Sequence, residues 1–125
     1  GLFDPHHAQS EALAQRLRDN YPRIQVQTGS NDPHGFDLVV NASPLGMNPD
    51  DPLPLDPARL SPDTFVGEVV MKTEITPLLA AAREKGCRIQ VGTDMLFEQI
   101  PAYLEYFGLA TTTAENLRAL ATLRY

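Results

Sequence analysis

The chain has little cysteine, no tryptophan and few basic residues. Its single cysteine excludes an internal disulfide framework and a cysteine-rich zinc site. With 10 Lys and Arg against 16 Asp and Glu, the formal net charge is −6. That charge disfavours broad binding to nucleic acid or to an anionic membrane surface, because phosphates repel it. A small anionic ligand is still allowed, since a few local donors can hold it.

Long hydrophobic runs and common catalytic motifs are missing as well. No apolar run approaches the roughly 20 residues that a membrane-spanning helix needs, and no secretory leader pattern opens the chain. No P-loop, GxGxxG, GxSxG, HExxH or CxxC pattern occurs, and the three histidines are too scattered for a metal site. We therefore expect a soluble, cytoplasmic protein with no metal, no nucleic-acid partner and no membrane partner.

What is present suits a globular domain. The 125 residues are 42% hydrophobic and 21% charged, which is enough apolar chain to bury a core. Apolar runs predict strands in residues 1–3 (as the end of a strand), 24–28, 36–40, 64–71 and 87–91. Amphipathic spacing predicts helices from about Ala8 to Asn20, from Thr76 to a cap at Gly86, from Asp94 to Gly108 and from Thr113 to Arg124. A proline-rich loop covers residues 44–62.

This order of elements predicts an α/β fold with a mostly parallel sheet flanked by helices. Ligands of such sheets bind beyond the carboxyl ends of the strands. Those ends fall at Asp4, Asn41, Met71 and Gly92. The polar and glycine residues at these positions are therefore the candidates for chemistry.

Each candidate has a functional and a purely structural interpretation. Asp4 is placed to accept hydrogen bonds from the ribose hydroxyls of an adenine dinucleotide, which favours NAD because a carboxylate repels the 2′-phosphate of NADP. The alternative is an acid that only starts the following helix. Asn41 and Ser43 offer polar groups beside the flexible Gly46, or form an ordinary polar turn. Gln99 lies one turn into a helix, either facing a cleft or solvated.

Two further residues carry structural expectations only. Asp51 lies in the proline-rich loop, where a carboxylate is expected to be solvated. Cys87 alternates with Ile89 and Val91 in a predicted strand, which indicates an inert core thiol.

Three segments of the chain carry recognisable motifs. Residues 37–47 (DLVVNASPLGM) are an apolar strand followed by Asn-Ala-Ser-Pro-Leu-Gly-Met, and residues 76–79 (TPLL) are a Thr-Pro-Leu-Leu helix start. Gly92, Met95, Leu96 and Gln99 form a GxxMLxxQ pattern. Together the three segments resemble the shikimate/quinate dehydrogenase family. Order and spacing also agree, so the resemblance covers almost the whole chain.

The resemblance implies the C-terminal part of a Rossmann-like dinucleotide-binding domain, spanning residues 1–125. Enzymes of this kind move a hydride between NAD(P) and a ring hydroxyl or ketone of shikimate- or quinate-like hydroxy acids. It implies that Asn41, Ala42, Ser43 and Met47 line the nicotinamide-ribose side of the cofactor. It also implies that Asp94 passes near the nicotinamide.

The resemblance implies that Gln99 binds a substrate hydroxyl. Two other positions depart from the family pattern. Met71 stands where the family usually has a substrate-contacting Tyr, and Asp94 stands where it usually has Gly. Both departures leave the identity of the hydroxy acid open. The residues Phe3-Asp4-Pro5-His6 replace the Asn-Arg-Thr-like segment of NADP-dependent members, so NAD is the expected cofactor and NADP the alternative.

The resemblance also implies that parts of the family pattern are missing. The first strand, its phosphate-binding loop and the N-terminal substrate domain with the catalytic Lys and Asp have no counterpart in these 125 residues. We therefore expect no catalytic residue in this chain, and we expect a missing N-terminal domain or a partner chain, with a homodimer as one option. The alternative hypothesis is a non-catalytic module that binds a nucleotide or another subunit.

Overall fold

The computed structural model describes residues 1–123, which form two compact units. The first unit covers residues 1–32 and contains the helix α1, His7–Asn20. The second unit begins at Pro33 and contains the remaining elements. In chain order these are β1 (Leu38–Asn41), a short 3-10 helix (Pro57–Arg59), β2 (Phe65–Glu68), α2 (Pro77–Glu84), β3 (Arg88–Gln90), α3 (Gly92–Tyr106) and α4 (Ala114–Leu120).

The first unit confirms the first predicted helix but not the strand after it. Residues 24–28 form only one parallel bridge, between Thr28 and Leu2, so the prediction of a regular strand was wrong. After Leu2 the partner segment leaves the bridge, because Asp4-Pro5 leads into α1. Side chains take over part of the hydrogen bonding, since Arg18 donates to the carbonyl oxygen of Val26 at 3.0 Å.

The second unit is built on a three-stranded parallel sheet in the order β1-β2-β3. Val39 is paired with Val66, which is paired with Ile89, and this register confirms the predicted parallel sheet. Helix α2 covers the sheet, and six buried residues form the core: Leu60, Val66, Leu78, Leu79, Ala82 and Cys87. Cys87 is therefore a core thiol, as predicted.

Helix α2 begins where the sequence indicates. The hydroxyl of Thr76 accepts a hydrogen bond from the amide of Leu79 at 3.3 Å, and Pro77 occupies the first helical position. Gly86, just beyond the end of α2, has a φ of +89°, a left-handed conformation that favours glycine.

Helix α3 begins at Gly92, two residues before the predicted start at Asp94. A Cβ atom at position 92 would lie 2.2 Å from the carbonyl oxygen of Val70, so only glycine allows the helix to start this close to the backbone that follows β2. Helix α4 ends at Leu120, and its predicted end at Arg124 lies outside the described residues.

Strand β2 ends at Glu68, three residues before the predicted end at Met71. The Glu68 carboxylate bends back and accepts hydrogen bonds from the amides of Val69 and Val70 at 2.9 and 3.2 Å. The chain therefore leaves the sheet at this point, and Met71 lies in the connection to α2.

Candidate functional site

An open cleft of about 330 Å³ lies beyond the carboxyl ends of β1 and β2. Four residues predicted from the sequence line it: Ala42, Ser43, Met47 and Met71. They come from two loops, one after each strand, because parallel strands deliver their carboxyl ends to the same edge of the sheet. Val69, Val70 and Lys72 also line the cleft. The structure thus assembles half of the predicted site residues around one space.

Asn41 lies behind the cleft wall rather than on it, with only 5% of its surface exposed. Its side-chain oxygen accepts hydrogen bonds from the amide and the hydroxyl of Ser43, at 3.1 and 2.6 Å. Its side-chain nitrogen donates to the carbonyl oxygen of Leu45 at 2.9 Å. Asn41 therefore sets the shape of the loop that carries Ala42 and Ser43.

Glu68 was not among the predicted site residues, although the structure places it beside Asn41. The side-chain nitrogen of Asn41 lies 3.0 and 3.2 Å from the two carboxylate oxygens of Glu68. The Thr76 hydroxyl donates to the same carboxylate at 3.0 Å. Glu68 is 2% exposed. The available sequence signal was an acidic residue inside an otherwise apolar strand, a position that demands buried donors.

Asp51, which was predicted to be solvated, is partly exposed and in addition takes part in a turn. Its carboxylate accepts hydrogen bonds from the amides of Gly46 and Asn48, at 3.0 and 2.9 Å. These bonds, those from Asn48 first, hold the pKa of Asp51 below its usual value. Gly46 has a φ of +101° at this turn. Asp51 thus closes the turn that presents Met47 to the cleft.

Lys72 places an ammonium group at the cleft. Its Nζ donates to the side-chain oxygen of Asn48 at 3.3 Å, which links the loop after β2 to the loop after β1. Both side chains are exposed. The cleft therefore has largely apolar walls with one cation at its edge.

Asp94 belongs to a cluster of charged residues between α3 and α4. Its carboxylate accepts from Nε of Arg118 at 3.1 Å, while Nη2 of Arg118 donates to Glu98 at 2.8 Å. The hydrogen bond that Arg118 donates to Glu98, followed by the one it donates to Asp94, raises the pKa of Arg118. The guanidinium also lies over the ring of Phe97, at 5.6 Å from its centroid. The negative charge of Asp94 is thus paired within the chain.

Gln99 and Asp4 lie outside the residues that line the cleft. The side-chain oxygen of Gln99 accepts a hydrogen bond from the Tyr103 hydroxyl at 2.9 Å, on the exposed side of α3. In the first unit, Asp4 accepts from the amide of His6 at 2.7 Å, just before α1. This contact fits the helix-starting interpretation of Asp4. The roles assigned to Asp4, Asp94 and Gln99 remain predictions.

Two features are absent from residues 1–123, the part of the chain that the structure describes. Within that range no helix is long and apolar enough to cross a membrane. The same residues contain no group of three or more His, Cys, Asp or Glu side chains arranged to hold a metal ion.

The parallel sheet, its flanking helices and a cleft at the carboxyl ends of the strands define a Rossmann-like α/β nucleotide-binding fold. No protein-family profile matches the chain. Individual proteins do. The shikimate dehydrogenase (NADP(+)) of Acidiphilium cryptum is 42% identical over 86 residues, covering 67% of this chain and 31% of that protein. The shikimate dehydrogenase (NADP(+)) of Mesorhizobium japonicum is 39% identical over 114 residues, covering 87% of this chain and 41% of that protein.

A solved structure agrees with these relatives. The quinate dehydrogenase from Corynebacterium glutamicum in complex with NAD superimposes with a TM-score of 0.79 at 30% identity, covering 94% of this chain and 43% of that one. Over the part of those proteins that it spans, the chain belongs to the shikimate/quinate dehydrogenase family. It spans about 31 to 43% of the length of these three proteins.

Proposed function

We propose that the chain supplies the nicotinamide side of the cofactor site in an NAD(P)-dependent dehydrogenase that acts on a ring hydroxyl or ketone of shikimate- or quinate-like acids. The observation that carries this proposal is the convergence of Ala42, Ser43, Met47 and Met71 on one cleft beyond the carboxyl ends of the strands. The names of the relatives support the substrate class.

The cleft fits the nicotinamide end of a dinucleotide in size and chemistry. A volume of about 330 Å³ falls within the roughly 300–1,000 Å³ of small-ligand sites. Met47, Val70 and Met71 offer apolar surface for a flat ring, and Ser43 offers a polar group for a ribose hydroxyl. When bound, the dinucleotide supplies hydride transfer, and the residues of this chain orient the ring and exclude water from one of its faces.

The substrate side of the proposed site involves α3 and the loop after β2. Met71 would contact the ring of the hydroxy acid, and Gln99 would turn from Tyr103 to bind one of its hydroxyls. Asp94 would lie toward the nicotinamide with its charge balanced by Arg118. The groups that move the proton would come from a substrate domain or a partner chain, because the relatives extend well beyond the part that this chain spans.

A titration with matched variants tests the cofactor site. We expect NAD or NADP to bind the full chain, and Met47→Glu to weaken that binding at least tenfold by placing a charge among apolar contacts. Leu109→Glu is the control, since Leu109 is exposed in the same unit and does not line the cleft. Equal affinities of both variants would contradict the proposed site.

The activity is tested by adding the N-terminal part of a relative. We expect no turnover of shikimate or quinate by the 125 residues alone, and turnover after addition of the N-terminal part of the Mesorhizobium japonicum relative. Tight nucleotide binding without turnover in the combined sample would favour the alternative, a non-catalytic binding module. Sedimentation of the same samples separates a monomer from a homodimer.

The preference for NAD over NADP depends on Asp4. We expect the full chain to bind NAD more tightly, because a carboxylate near the ribose repels a 2′-phosphate. Asp4→Asn should narrow the difference in affinity between NAD and NADP, and calorimetric titration with each cofactor measures that difference. If Asp4 only starts α1, the substitution will leave the ratio of the two affinities unchanged.

A further inference from the structure

We propose that Glu68 is a positioning residue for the cofactor, and that it acts by holding the two cleft loops in their binding-competent arrangement without touching the ligand. The proposal rests on the proposed function, because the cleft is taken to be a dinucleotide site. Glu68 is 2% exposed and does not line the cleft.

Several chain segments meet at the Glu68 carboxylate. Asn41 donates from the end of β1, Thr76 from the residue before α2, and the amides of Val69 and Val70 from the connection between β2 and α2. Residues 41 and 68 are adjacent in the sheet register, and Thr76 lies eight residues further along the chain. One side chain thus joins both loops and the helix cap.

The Asn41 amide is held in one orientation. Facing the Glu68 carboxylate and the Leu45 carbonyl oxygen, Asn41 presents its nitrogen, which directs its oxygen toward Ser43. The Ser43 hydroxyl in turn accepts from the amide of Leu45 at 3.2 Å. A reversed Asn41 amide would place oxygen against both acceptors and nitrogen against the Ser43 amide. Glu68 and the Leu45 carbonyl therefore fix this orientation together, and Glu68 ties it to the end of β2.

The two loops that Glu68 holds also form the cleft. Ala42 and Ser43 on one loop, and Val70 and Met71 on the other, line the cleft. If Glu68 no longer holds them, the competent arrangement becomes a fraction of the population. The apparent affinity then falls by that fraction, although every residue that contacts the ligand is still present.

The substitution that tests this is Glu68→Gln, which keeps the size of the side chain but places an NH2 group among donors. Glu84→Gln is the matched control, since Glu84 is exposed on α2. We expect the amides of Ser43 and Leu45 to exchange with deuterium about tenfold faster in Glu68→Gln. Amides of the β1-β2 ladder should accelerate by a smaller factor than those two loop amides, because only global unfolding exposes them. We also expect NAD affinity to fall about tenfold, the effect of a competent state populated one tenth of the time.

Three outcomes would overturn the proposal: unchanged exchange at Ser43 and Leu45, a uniform rise in exchange across the sheet, which indicates a merely structural role, or unchanged NAD affinity despite faster loop exchange. Failure of the unmodified chain to bind NAD would contradict the proposed function by itself, and the exchange pattern would still decide whether Glu68 holds the loops.

A second measurement covers the case in which Glu68→Gln does not fold. In the unmodified chain, the side-chain amide protons of Asn41 should exchange at least tenfold more slowly than those of the exposed Asn48, because the Asn41 amide lies against a buried carboxylate. Equal exchange of the two side chains would show that Glu68 does not hold Asn41.

Discussion

Two polar clusters of the second unit have similar hydrogen-bond lengths but very different surroundings. Asn41, Glu68 and Thr76 are 5%, 2% and 1% exposed. In the cluster of Asp94, Glu98 and Arg118, the side chains are 42%, 64% and 35% exposed. Hydrogen-bond distances are 3.0 to 3.2 Å in the buried cluster and 2.8 to 3.1 Å in the exposed one. Length alone therefore does not distinguish them.

The difference lies in what replaces a lost contact. When a partner is removed from the exposed cluster, water solvates the remaining group and salt already screens the charges. When a partner is removed from the buried cluster, the remaining donors lose that partner and have no water to replace it. The buried cluster should therefore dominate stability and loop shape, and the exposed cluster should contribute little to either.

The largest effect is expected for Glu68→Ala. It leaves the Asn41 and Thr76 side chains and the amides of Val69 and Val70 without this acceptor. We expect the free energy of unfolding to fall by about 3 kcal/mol, the upper range for unsatisfied buried polar groups. Chemical denaturation measures it, with Glu84→Ala as the exposed control. Similar losses of unfolding free energy for both variants would show that the buried position of Glu68 does not matter for stability.

A smaller effect is expected from two helix caps that differ in burial. Thr76 and Thr113 each accept from the amide three residues on, Leu79 and Asn116 respectively. Thr76→Ala should cost about 2 kcal/mol and Thr113→Ala about 0.5 kcal/mol, the two ends of the range for helix caps. Denaturation midpoints of the two variants give the comparison. A larger loss at Thr113 would contradict the importance of burial.

Arg118→Gln should change the free energy of unfolding less than either cap variant, Thr76→Ala in α2 or Thr113→Ala in α4. It removes ion pairs with Asp94 and Glu98 that are open to solvent. We expect the midpoint of thermal unfolding to approach that of the unmodified chain as the salt concentration rises, because salt already weakens the pairs. A loss that is independent of salt would indicate that the packing of Arg118 over Phe97 matters more than its charge.

The smallest effect is local and depends on pH. Hydrogen bonds lower the pKa of Asp51 in the folded chain. Asp51 therefore stabilises the turn fully above its unfolded pKa near 3.8, and this stabilisation is lost as the pH falls through the lower pKa of the folded chain. We expect the amide resonances of Gly46 and Asn48 to titrate in that acidic range, and Asp51→Asn to abolish the change. Titration at the ordinary Asp pKa would show that the turn is not held by Asp51.

Sequence patterns predicted the elements whose signals are local. The Thr76-Pro77 start of α2, the glycine after it and the parallel sheet were confirmed. The strand predicted over residues 24–28 was wrong, because alternation describes the faces of a strand but not the length of its partner. The segments at Asn41 and Gly92 both lie at carboxyl ends of strands, where the sequence placed them and where parallel sheets bind ligands.

The candidate site was predictable as far as its residues adjoin strand ends. Ala42, Ser43, Met47 and Met71 do line one cleft. The hydrogen-bonding roles of Glu68 and Asp51 could not be predicted from the sequence, since their partners come together only in the folded chain. Glu68 binds residue 41, which is 27 positions away. Asp51 binds amides that a positive φ at Gly46 turns toward it.

The order of apolar and amphipathic segments is sufficient to specify a parallel α/β sheet, because side-chain periodicity and proline and glycine placement act within a few residues. The same segments carry the family pattern, from the Asn41 loop to Gln99. Tertiary contacts decided which polar groups lost water. They buried Glu68 against Asn41 and Thr76 and left Asp94 paired with Arg118 at the surface. Desolvation depends on neighbours distant in the chain, so no local pattern encodes it.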